Sequence, residues 1–193
     1  KPESEKLPAW LGGWNLDNAR PIKVLLGARS SYSDGEGTVA QLADAARQAG
    51  YSILVMTETF ERFERSRWND FLRDCDAATT EDLIVFPGVD IADAYQNRYL
   101  LFGQRTYPAE FMLTDDGRRL KEAQNLSLGF GTHFTAVHRA TTTPLPAELY
   151  KFFAGVVVFT YVDGKLVDNS LLAYQWQVNN SSQPIPLVAH EVR

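Results

Sequence analysis

The sequence predicts an α/β fold built on a parallel sheet or a closed barrel. Three observations carry this expectation. Short apolar runs, roughly seven of them strand-like, alternate with helical patterns along the chain. Those runs are continuously apolar rather than alternating, as when both faces of a sheet are covered. The chain has 193 residues, 45% hydrophobic and 22% charged, which is ordinary globular composition and enough for one core.

The elements follow in order. Residues 1–20 are polar, with Pro, Gly, Trp10 and Trp14, and read as an N-terminal lead-in that packs by its aromatics. Residues 21–193 form the folded domain. A buried strand is predicted over 22–26. Thr38 caps a helix that runs to residue 49 and is closed by Gly50. A strand follows over 52–56, then a longer amphipathic helix over 61–77. In that helix Phe63, Trp68, Phe71 and Leu72 form the buried side, Cys75 is a small buried hydrophobe, and charges pair i,i+4, as in Glu61 with Arg65. A strand over 83–86 is stopped by Pro87-Gly88. Another spans 98–102. Residues 108–123 are mixed, with a turn at Asp115-Asp116-Gly117. Strands are predicted over 134–137, 155–159 and 185–189. Helices are predicted over 145–152, after a Thr-rich turn, and over 171–177.

Composition excludes several classes. The formal net charge is −5, from 19 Lys and Arg against 24 Asp and Glu. This argues against a nucleic-acid binder, which needs clustered positive charge. One cysteine, Cys75, permits no intrachain disulfide and no CxxC site. No apolar run approaches the ~20 residues of a membrane span. The chain opens Lys1-Pro2-Glu3 without a methionine, as a trimmed chain, a mature secreted form or a domain of something longer would; this leaves the location open, with a periplasmic or extracellular one slightly favoured.

In α/β folds function sits at the carboxyl ends of strands. The first strand runs into Gly27-Ala28-Arg29-Ser30-Ser31-Tyr32-Ser33-Asp34-Gly35, the second into Met56-Thr57-Glu58-Thr59, and the third into Phe86-Pro87-Gly88-Val89-Asp90. In order and spacing these resemble the PHP (polymerase and histidinol phosphatase) family. That family opens with His-x-His-Ser-x-x-Ser-Asp-Gly and continues with a helix ending in Gly, a strand ending Thr-Asp-His and a strand ending Pro-Gly-x-Glu. Ser30, Ser33-Asp34-Gly35, Gly50, Thr57 and Pro87-Gly88 fall in register. The resemblance covers about residues 22–103 and continues more loosely to the end. It implies a PHP-like distorted (β/α)7 barrel, with two or three metal ions at the strand ends and a metal-bound water that hydrolyses phosphoesters.

The chain departs from that pattern where the metal chemistry lives. Gly27 and Arg29 stand at the first two histidine positions, and Glu58 and Thr59 at the Asp-His. Asp90 stands at the glutamate, and Arg98 at the histidine that starts the fourth strand. Of three histidines, His138 alone sits at a plausible site position. Glu191 and Arg193 align with the closing Asp-x-His. Arginine has no acceptor lone pair and cannot ligate a cation. The expectation is therefore no cofactor, and a cluster of Arg29, Arg98 and Arg193 with Glu58, Asp90 and Glu191 in which guanidinium groups replace the metals' charge. Such a cluster either stabilises the fold alone, the simpler reading, or leaves an arginine to hold an anionic small molecule or acidic saccharide. The alternative is a single divalent cation held by Glu58, Asp90 and Glu191, with His138, Asp90 and Glu58 as catalytic candidates.

Other constellations read as structural. Ser30, Ser33 and Asp34 form a turn and helix-entry sequence rather than a nucleophile site. Gly35-Glu36-Gly37 lacks the ending of a phosphate loop. Gly129 and Gly131 permit a tight turn, and His133 has no partner by spacing. Tyr95, Tyr107, Tyr161 and Trp176 are core or lid aromatics before they are a sugar platform. The functional expectation is a catalytically degenerate PHP-like domain acting as a non-catalytic binding, scaffolding or regulatory module, with a divergent metal-dependent hydrolase as the alternative. A homo-oligomeric structural subunit is a third class.

Overall fold

The structure is a computed structural model. It describes residues 22–92, 98–103 and 105–108, and the backbone of four further strands at 135–139, 155–162, 165–168 and 187–189. The lead-in with Trp10 and Trp14, the helices expected at 145–152 and 171–177, and Tyr95, His133, Trp176, Glu191 and Arg193 lie outside the described residues.

In chain order the elements are β1 (Val24–Ala28), α1 (Val39–Gln48), β2 (Ile53–Met56), β3 (Glu58–Thr59), α2 (Trp68–Ala78), β4 (Ile84–Phe86), β5 (Gly88–Ala92), β6 (Arg98–Phe102), β7 (Thr135–Arg139), β8 (Gly155–Val162), β9 (Lys165–Asp168) and β10 (Leu187–Ala189). Strands β1, β2 and β4 pair in parallel in that order. The second ladder runs β3, β5, β6, β7, β8, β10, with β9 against β8.

The two ladders share their strands. Ile53 lies opposite Ile84 and Glu58 opposite Val89, with the same sequence offset. So 53–59 and 84–90 are one parallel pairing, interrupted where Pro87 has no N–H to give. The expected stop at Pro87-Gly88 is thus a missing rung, and the chain continues as strand beyond it. Pro87 still accepts a hydrogen bond from the Gly103 N–H at 2.8 Å. Gly88 fills a tight crossing, because a Cβ there would sit 2.5 Å from the Met56 carbonyl oxygen and 2.7 Å from that of Leu101.

The sheet is mixed rather than parallel. Strand β6 runs antiparallel to β5 and β7. Only residues 93–97 separate β5 from β6, and a parallel crossover needs about a dozen or more. Strands β7, β8 and β10 return to parallel pairing, and β10 lies against β1. Strand β9 pairs antiparallel with β8 and was not expected from the sequence.

Helix α1 begins at a reciprocal capping box, in which Thr38 accepts from the Gln41 N–H and Gln41 accepts from the Thr38 N–H. It ends before Gly50, which adopts φ 76°. Helix α2 turns Trp68, Phe71, Leu72, Cys75 and Ala78 inward, an i, i+3, i+4, i+7 stripe that builds the core with Leu54, Met56, Val85 and Tyr99. Burying each large side chain stabilises the fold by about 1.5–3 kcal/mol. Leu26, Val55 and Leu100 form a second cluster with Ile53, Phe86 and Phe102 packed against it.

The helix expected from residue 61 starts only at Trp68. Before it come two 3-10 turns, Phe60–Arg62 and Arg65–Arg67. Between them Phe63 and Glu64 are extended, at ψ 122° and 121°. Phe63 has to step inward to stack on Tyr32 at 5.9 Å and to meet Phe71 edge-on at 5.4 Å. That step breaks the helical spacing, and Glu61 turns to the strand ends instead of to Arg65.

Candidate functional site

The carboxyl end of β1 carries a bulge. Leu26 pairs with Val55 and Ala28 with Met56, so Gly27 is the extra residue. Its φ of 111° is a region that glycine enters freely and other residues do not. Beyond the bulge, residues 29–37 wind tightly: Ser33 and Gly35 N–H groups donate to the Ser30 carbonyl, and the Ser31 N–H donates to Gly37.

This loop wraps the carboxylate of Glu58, which is fully buried. The Ser30 N–H donates to both oxygens, at 2.9 and 3.2 Å, and the Ser30 hydroxyl donates to Oε1 at 2.6 Å. The Ser33 hydroxyl donates to Oε2 and accepts from the Thr59 N–H at 3.1 Å. Burial pushes the Glu58 carboxyl up, against the lowering effect of these hydrogen bonds. The two serines are therefore not helix caps, since the cap is Thr38; they hold a buried acid 25 to 28 residues away. Glu58, expected among guanidinium groups, accepts its hydrogen bonds from Ser30 and Ser33 instead.

Asp90 is also fully buried, on β5. The Arg29 Nη2 donates to its Oδ2 at 3.0 Å and the Arg98 Nε to its Oδ1 at 2.9 Å. The Arg98 Nη2 also reaches the Asp90 carbonyl at 3.3 Å. Burial pulls the Arg98 guanidinium down, but Asp90 and Glu61 outweigh it and its pKa is raised.

The pairs continue outward. Arg29 lies 3.5 Å and Arg62 3.7 Å from Asp34 Oδ2, and Arg98 lies 3.6 Å from Glu61. The Glu61 Oε1 accepts the Ala92 N–H at 2.9 Å. Burial pushes the Asp34 carboxyl up, but the Thr59 hydroxyl at 2.7 Å, Arg29, Ser33 and Arg62 hold it below its ordinary value. Since Glu61 and Arg62 are joined by a peptide bond, the six residues close a ring of alternating charge: Arg62, Asp34, Arg29, Asp90, Arg98, Glu61.

Of the residues picked out in the sequence, Arg29, Arg98 and Asp90 meet directly, and Glu58 sits beneath them through the Ser33–Asp34 loop. His138 lies opposite Tyr99 in the β6–β7 register. Arg193 and Glu191 fall outside the described residues. Sequence reasoning missed Asp34, Glu61 and Arg62 as members of this centre. The one usable signal was Asp34 at a strand end, because Glu61 and Arg62 looked like a solvated helix face.

No family model and no curated protein sequence matches the chain. Solved structures do. One is a two-domain protein from Bacteroides vulgatus ATCC 8482 containing a predicted PHP-like metal-dependent phosphoesterase. It is 14% identical, with a TM-score of 0.60, over 88% of this chain and 52% of that one. Another, from Bifidobacterium adolescentis ATCC 15703, carries a metal-dependent phosphoesterase assignment. It is 11% identical, with a TM-score of 0.53, over 89% of this chain and 87% of that one.

The fold is PHP-like. The chain spans about half the length of the Bacteroides protein. A PHP-like fold implies metal ions at the strand ends, and the described side chains do not fit a two- or three-metal centre. A ligand at residue 27 would need the glycine φ of 111°. Arg29 and Arg98 are permanent cations with no lone pair to give. They already take both oxygens of Asp90, and Ser30 and Ser33 take those of Glu58. Among the described residues, no three His, Cys, Asp or Glu side chains are grouped to hold a metal ion. Nor, among them, is any helix long and apolar enough to cross a membrane.

Proposed function

We propose that the chain is a PHP-like domain, with its strands closing as a distorted (β/α)7 barrel, that has exchanged metal chemistry for a guanidinium–carboxylate centre. It then works as a non-catalytic binding, scaffolding or regulatory module for an anionic ligand. The observation that carries this reading is Asp90, buried and gripped on both carboxylate oxygens by Arg29 and Arg98. Two guanidinium groups on one dry carboxylate supply the positive charge that ions would otherwise bring, and they repel any cation that approaches.

A second reading is a divergent metal-dependent hydrolase. The phosphoesterase assignments of the structural neighbours favour it. It would use one divalent cation near Glu58 and Asp90 with His138, and Asp90 would first have to leave at least one arginine.

One experiment separates the two. Elemental analysis of chain purified without chelator, with p-nitrophenyl phosphate turnover under added Mn²⁺, should give well under one metal per chain and no turnover above blank. Stoichiometric metal together with turnover lost in Asp90→Ala would establish the hydrolase instead.

A further inference from the structure

The ring has a dry half and a wet half. Around Asp90 the links are hydrogen-bonded at 2.9 and 3.0 Å, and the Asp90 side chain has no exposure. The outer links are longer, 3.6 Å from Arg98 to Glu61 and 3.7 Å from Arg62 to Asp34. There the Arg62 side chain is 67% exposed and that of Glu61 45%. Each outer link has one partner at the surface, and ion pairs made by such exposed ends contribute about 0–1 kcal/mol, so Glu61 and Arg62 exchange partners more easily than Asp90 does. Charge-assisted hydrogen bonds from arginine to an oxyanion are shorter and about twice as strong as neutral ones. An incoming oxyanion therefore competes with the Glu61 carboxylate for Arg98 and with Asp34 for Arg62, while the inner half stays fixed. Glu61 keeps its backbone anchor at the Ala92 N–H through its other oxygen, Oε1, which lets Oε2 swing clear.

We propose that the outer half of this ring is a capture site for a small oxyanion, a phosphate monoester or a carboxylate, with Arg62 and Arg98 as donors and Glu61 as the built-in competitor. The site rests on the guanidinium reading of the centre. It gives that reading a ligand class and a gate. Glu61 and Arg62 are both at the surface, so either can be replaced without opening the core.

Calorimetric titration of the full chain with inorganic phosphate, and separately with acetate, tests it at low ionic strength. Loss or gain of one charge-assisted contact changes affinity about tenfold. Glu61→Gln should bind about tenfold tighter than the parent, and Arg62→Gln about tenfold weaker, with unchanged melting temperatures. The tighter of the two probes names the ligand class. Equal affinities in all three proteins, or no binding of either probe by Glu61→Gln, would overturn the capture site alone. Phosphate binding that requires a stoichiometric bound metal would overturn both this site and the metal-free centre beneath it.

Discussion

Arg29 and Asp90 lie 61 residues apart in sequence and 3.0 Å apart in space. The first stands just past a glycine bulge at the end of β1, and the second is buried on β5. Their contact ties the strand-end loop to the sheet.

Removing the acid strands two guanidinium groups, one of them 10% exposed. Breaking a buried pair in this way costs about 3–5 kcal/mol. Asp90→Ala should lower stability by that order in urea denaturation. Arg62→Ala, at the exposed end of the same ring, should change it by less than about 1 kcal/mol.

Glu58 sets a pH dependence with a definite sign. Its folded carboxyl is raised above the ordinary value of 4.5, chiefly by burial. The folded state therefore binds that proton more tightly than the unfolded chain does. The stability it contributes is complete below about 4.5 and is lost as pH rises through the folded value. Asp34, which is lowered, runs the other way and loses its contribution as pH falls. Glu58→Gln keeps an acceptor for the Ser30 N–H, and it should flatten the decline in stability on the alkaline side of 4.5. Melting temperatures of both proteins across that range give the check; parallel curves would exclude Glu58 as the source.

Gly27 holds φ 111° in the bulge that aims Arg29. Gly27→Ala should cost about 1–3 kcal/mol as backbone strain. Gly27→His should not recover metal binding, as isothermal titration with Zn²⁺ or Mn²⁺ would record.

Thr38 caps α1 with Gln41 as its reciprocal partner. Thr38→Ala should destabilise by about 1 kcal/mol in a chemical melt, and Thr38→Ser should restore most of it.

Much of the frame was legible because it is written locally. Thr38 and Gly50 bracket α1, and the strands that were expected lie within two or three residues of the observed ones, while β5 and β9 went unmarked. What was not legible depends on distant partners. A proline reads as a stop, yet the ladder resumes past Pro87 because the register on both sides is the same. Glu61 and Arg65 have helical spacing, but Phe63 is needed in the aromatic core and pulls the segment out of the helix. Ser30 and Ser33 look like turn residues, and only folding brings the Glu58 carboxylate into their reach. Arg29 and Arg98 were visible in the sequence as candidates near strand ends. Their ring of partners was not, because Asp34, Glu61 and Arg62 are ordinary surface residues until the sheet assembles.

The uninterrupted register across Pro87 has a mechanical consequence. Since 53–59 and 84–90 each thread through both ladders, neither can detach while the other persists. Amide protons of Leu54 and of Asp90 should therefore exchange with solvent in a single opening event, and the loop bearing Arg29 should lose its shape in that same step rather than before it.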